Sequence, residues 1–101
     1  MAEASTRLHP QAQALVEKAI EILRRHGASE VYAFGSVVTD RWTPPASDLD
    51  LAARGVPSRV FYRAVGDLLW DLDCSVDVID LDVDRRFGDS LRERGVLVLV
   101  G

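Results

Sequence analysis

A single stretch, Val31 to Leu51, constrains the fold of this chain more than any other. It opens with Val-Tyr-Ala-Phe, a run suited to a β-strand, and breaks at Gly35-Ser36. A polar region follows, and the chain then resumes with Ser47-Asp48-Leu49-Asp50-Leu51-Ala52. Strand side chains alternate between faces. The second run therefore predicts Leu49 and Leu51 on one face and Asp48 and Asp50 on the other, with their Cα atoms roughly 6.5 Å apart.

Two carboxylates on one face of a packed strand repel each other, and burial raises the cost of their charge. A divalent cation removes that conflict. Mg²⁺ takes oxygen ligands and is commonly held by one or two carboxylates together with substrate phosphates. The Gly35-Ser36 turn is the natural complement. Glycine lets backbone approach a phosphate closely, and the N–H groups at a helix start attract anions. The stretch thus reads as a site for a nucleoside triphosphate and Mg²⁺.

Around it the chain resolves into the order α-β-β-α-β-α-β. Pro10 suits a first helical turn, and Ala12, Leu15, Val16, Ala19, Ile20, Ile22 and Leu23 recur at helical spacing, predicting a helix over 10–26 that Gly27 ends. Strands follow at 30–34 and 48–53, separated by a short helical turn and a loop carrying Pro44-Pro45. A second helix spans 57–72. A third strand at 75–81 leads through Asp80, Asp82 and Asp84 into a helix over 85–94. The run Val96–Val100 predicts a fourth strand, buried on both faces.

With 101 residues, 48% of them hydrophobic and 28% charged, the chain is expected to form one soluble domain spanning 1–101. A net charge of −4 argues against direct nucleic-acid binding, which calls for a basic face. No apolar run approaches the ~18 residues of a membrane helix. The start of the sequence lacks the apolar segment of a signal peptide, and its one cysteine, Cys74, suits a reducing compartment. A cytoplasmic location is expected. His9 and His26 lack metal-ligand spacing, and Cys74 reads as a small buried residue. Asp71, Asp73, Asp84 and Asp89 read as solvated charges near helix ends.

Phe34-Gly35-Ser36, then Ser47-Asp48-Leu49-Asp50-Leu51, then Val76-Asp77-Val78 resembles the nucleotidyltransferase superfamily that includes DNA polymerase beta. The likeness is to its minimal branch, the small prokaryotic nucleotidyltransferases paired with helical HEPN proteins, and it extends from the first helix to the last strand. It implies an α+β fold with a mixed four-stranded sheet flanked by helices. It also implies that Asp48, Asp50 and Asp77 bind two Mg²⁺ ions and form the catalytic set, and that Gly35 and Ser36 bind the nucleotide. Asp80 and Asp82 compete for the role given to Asp77. Family members commonly carry Arg after Gly-Ser. This chain has Val37-Val38-Thr39-Asp40, so the basic grip on the phosphates is expected to be missing or to have moved to Arg41.

The reaction implied is transfer of AMP from ATP to a hydroxyl of a HEPN-type toxin, with this chain as the antitoxin. A rival reading is an antitoxin that neutralises its partner by contact alone, which the changed sequence after Ser36 favours. Another is a transferase acting on a small molecule such as an antibiotic. Association into homo- or hetero-oligomers is compatible with each. The second helix carries Phe61, Tyr62 and Trp70, more aromatic bulk than one face of a small domain buries, so part of it, or Trp42, is expected to form a binding patch.

Overall fold

The computed structural model describes residues 10–38, 49–72, 75–93 and 97–101, and of Pro10, Gln11, Ser36, Leu91 and Arg92 the backbone only. In chain order these are helix α1 (Pro10–Arg25), strand β1 (Glu30–Phe34), a 3₁₀ turn (Gly35–Val38), strand β2 (Leu49–Arg54), helix α2 (Ser58–Asp71), strand β3 (Val76–Asp80), helix α3 (Arg85–Glu93) and strand β4 (Val98–Leu99). The strands form one mixed sheet in the order β3-β2-β1-β4. β1 runs antiparallel to both β2 and β4, whereas β2 and β3 are parallel, joined by the crossover helix α2. This is the α+β architecture and element order expected from the sequence.

The alternation in β1 and β2 decides where the core sits. Val31 and Ala33 of β1 and Leu49, Leu51 and Ala53 of β2 point to one face, where all five are buried. α1 covers that face with Val16, Ala19, Ile22 and Leu23, and α2 covers it with Ala64 and Leu68. Each fully buried Leu, Ile or Val contributes about 1.5–3 kcal/mol of transfer free energy, so this layer supplies most of the cohesion. His26 ties the end of α1 to α2, its Nε2 lying 2.8 Å from Asp67 Oδ2.

The opposite face carries Phe34, Asp50, Ala52, Arg54, Asp77 and Ile79. α3 packs over part of it. Phe87 meets Phe34 edge-on, with ring centroids 5.8 Å apart and planes at 73°. Gly88 lies against Leu81, and a Cβ there would come within 2.7 Å of the leucine Cδ2.

The fourth strand departs from its expectation. Apolar composition alone suggested burial on both faces, but β4 is an edge strand with β1 as its neighbour, Val98 is half-buried and Leu99 is 53% exposed. An unbroken hydrophobic run does not distinguish a central strand from an edge strand, because that depends on pairing partners distant in sequence.

Candidate active site at the Gly35 turn

The antiparallel register sets Phe34 opposite Asp50, and the parallel register sets Asp50 beside Asp77. In-register residues of neighbouring strands project from the same face, and strands lie about 4.8 Å apart. Asp50 and Asp77 therefore stand side by side on the face away from the core. Asp77 is exposed and Asp50 half-buried. The parity of the β2 alternation, read at sequence level from the two leucines, holds: Leu49 and Leu51 are fully buried behind the acids.

Gly35 ends β1 with φ +74°, a backbone region that L side chains rarely adopt. The turn it starts folds back on β2. A Cβ at residue 35 would strike Asp50 Oδ2 and lie 3.3 Å from the carboxylate carbon. Glycine is thus required twice here, by the backbone angle and by the carboxylate beside it. Ser36 is next in the same turn.

The residue after Ser36 has a structural task. Val37 is fully buried in the core cluster, and Val38 packs against it. Val37 anchors the turn to the hydrophobic layer and so fixes Gly35 over Asp50. An inward-pointing residue cannot reach a phosphate, which gives a physical reason for the absence of an arginine at this position.

The acids after β3 separate cleanly. Asp80 is three residues beyond Asp77 and so falls on the other face of the strand. Its Oδ1 accepts a hydrogen bond from the Asp82 N–H at 3.0 Å. Asp82 Oδ2 in turn accepts from the Gly55 N–H at 2.7 Å, tying the β3–α3 turn to the end of β2. Asp84 Oδ1 accepts from the Phe87 N–H at 3.3 Å, within the first turn of α3. These three carboxylates organise backbone, and only Asp77 shares a face with Asp50. Of the other predicted helix-end charges, Asp71 and Asp89 are exposed.

Asp48 and Arg41 lie outside the described residues, as do His9, Trp42, the Pro44-Pro45 loop, Asp73 and Cys74. Among the described residues, no three His, Cys, Asp or Glu side chains gather into a group that could hold a metal ion. The pair that is described consists of hard oxygen donors on adjacent strands, the donor type that suits Mg²⁺. Sequence reasoning missed the aromatic wall beside them. Phe34 precedes Gly35, and Phe87 is the one aromatic of α3, but their meeting required knowing which face α3 covers.

Residues 16–94 match the family model described as a nucleotidyltransferase domain, and the chain belongs to that family. No protein of curated function matches it. Among solved structures, it is similar to a chain in the crystal structure of the toxin–antitoxin MntA-HepT. The TM-score is 0.62 with 20% identity, covering 86% of this chain and 69% of that one. It is also similar to a chain in the structure of tri-AMPylated Shewanella oneidensis HEPN toxin in complex with MNT antitoxin. There the TM-score is 0.52 with 26% identity, over 70% of this chain and 56% of that one. Among the described residues, no helix is long and apolar enough to cross a membrane.

Proposed function

We propose that this chain is the antitoxin of a HEPN-type helical toxin, that it works in the cytoplasm, and that it silences the toxin by transferring AMP from ATP to a toxin hydroxyl in a Mg²⁺-dependent reaction. The observation that carries the reading is the contact of Gly35 with the Asp50 carboxylate, with Asp77 in register beside it. Membership of the nucleotidyltransferase family supports the reaction type. The likeness to a complex of MNT antitoxin with tri-AMPylated HEPN toxin supports the acceptor and the nucleotide.

In this mechanism Asp50 and Asp77, with Asp48, hold the metal. Bound Mg²⁺ supplies charge neutralisation for the phosphates and for the attacking and leaving oxygens. The backbone of the Gly35–Val38 turn and Ser36 hold the β- and γ-phosphates, with Arg41 as the basic residue near them. Asp77, the more exposed acid, accepts the proton of the acceptor hydroxyl. The hydroxyl oxygen bonds to the α-phosphorus, the α–β bridging P–O bond breaks, and pyrophosphate leaves.

Burial of Val37 favours a second reading, an antitoxin that acts by contact, because the turn presents no arginine at that position. One experiment separates the two. The chain is incubated with ATP, Mg²⁺ and a HEPN-type toxin protein, and the toxin is weighed by mass spectrometry. Transfer adds one or more AMP increments, and Asp50→Ala abolishes them while leaving the complex intact. Absence of any adduct, with neutralisation surviving Asp50→Ala, establishes contact alone.

A further inference from the structure

We propose that the outer face of α2 is a self-association surface, on which a second copy of this chain docks its own α2 antiparallel about a twofold axis at Gly66. The proposal goes beyond nucleotidyl transfer and does not depend on it. Three observations carry it.

The first is an exposed apolar face with an opening at its centre. α2 buries Ala64 and Leu68 against the sheet, while Tyr62 is 87%, Leu69 54% and Trp70 89% exposed. Residues step about 100° around a helix, which places Gly66 in the middle of the outward face. Tyr62 and Leu69 flank it on one side, and Arg59, Arg63 and Trp70 on the other. A Cβ at Gly66 would meet nothing within 4 Å among the described residues, so they leave the gap unfilled. Another helix can approach closely there.

The second is the charge order. The N-terminal half of α2 carries the exposed Arg59 and Arg63, and the C-terminal half carries the exposed Asp67 and Asp71. The first turn holds no acid and the last turn no base. This runs against the helix dipole, which favours acids at the start and bases at the end. The pattern is unfavourable within one helix but complementary between two antiparallel copies.

The third is that both properties share one register. A twofold axis lying in the contact plane at Gly66 keeps each flank on its own side. Tyr62 then faces Leu69 of the second copy. Arg63 reaches the Asp67 carboxylate and the Trp70 ring of that copy, an ion pair and a cation–π contact together. Asp67 is held in place by His26 at 2.8 Å, yet its side chain remains 52% exposed. Asp50 and Asp77 lie on the opposite side of the sheet, so the assembly leaves both candidate active sites open.

The test is light scattering and sedimentation of the full chain across the micromolar range. The expected result is a reversible dimer of twice 11.1 kDa, weakened by salt. Gly66→Gln fills the gap without meeting its own fold, so it should give a monomer with an undiminished melting temperature. Arg63→Asp and Asp67→Arg should each be monomeric alone, because each sets like charges face to face. Mixed together they should form a heterodimer, because both cross-contacts are again of opposite sign. A wild-type monomer throughout the range overturns the proposal. So does a dimer that survives Gly66→Gln, a mixture that fails to pair, or an α2 face that a toxin protein covers while the chain alone stays monomeric.

Discussion

The Asp50 carboxylate occupies the space where a Cβ on residue 35 would stand, and Gly35 meets it at φ +74°. The end of β1 and the middle of β2 therefore interlock through one glycine and one acid. Gly35→Ala should lose about 1–2 kcal/mol from the backbone conformation, plus whatever displacement of Asp50 adds. In urea unfolding, the double change Gly35→Ala with Asp50→Ala should be less destabilising than the two single changes summed, because the second removes the obstruction. Strict additivity would show that the two residues are not in contact.

Val37 gives a second expectation. Restoring an arginine after Gly-Ser places a guanidinium at a position fully enclosed by the core. Val37→Arg should cost on the order of 3 kcal/mol, read as a drop in the urea midpoint. Transfer activity should fall with it rather than rise. Val37→Ile keeps the anchor apolar but adds one methylene to a filled site, and should cost about 1–3 kcal/mol while leaving no buried charge.

Asp77 and Asp82 should behave in opposite ways. Asp82 accepts from the Gly55 N–H, and a hydrogen bond to a charged acceptor contributes about 1.5–3 kcal/mol. Asp82→Ala should lower stability by that order and leave AMP transfer intact in folded protein. Asp77 is exposed, so Asp77→Asn should change stability by less than about 0.5 kcal/mol. It should nevertheless remove the AMP adduct. Equal effects of the two changes on folding and transfer would contradict the division made here.

How much of this could be read from residues alone varies with how local the signal is. The helical spacing of Ala12, Val16, Ala19 and Leu23 and the alternation Leu49-Asp50-Leu51 are local patterns, and both predicted the buried side correctly. The pairing of Asp50 with Asp77 was legible only through the family likeness, since a register between strands 27 residues apart leaves no mark in either strand. Pairing order also decided the exposure of Leu99. Val37 looked like the loss of a phosphate contact, because sequence shows which residue is present but not which way a one-turn helix points it. The exposure of Tyr62 and Trp70 on α2 was legible from aromatic bulk. Centring the exposed face on Gly66 needed the orientation of the helix.

The pair Asp50 and Asp77 leads to the last prediction. Two carboxylates in register on adjacent strands repel, and a bound cation reverses the sign of that interaction. If Mg²⁺ binds there, it stabilises the folded state by RT ln(1 + [Mg²⁺]/Kd), about 2.7 kcal/mol at one hundred times Kd. Thermal unfolding with increasing MgCl₂ should therefore raise the wild-type melting temperature more than the same ionic strength of NaCl does. Adding a non-hydrolysable ATP analogue should steepen the rise, because its phosphates complete the ligand set. Asp77→Asn should flatten the response while leaving the metal-free melting temperature equal or slightly higher, since it removes one of two facing negative charges. A response in Asp77→Asn as large as in the wild type would place the metal elsewhere and remove Asp77 from the catalytic set.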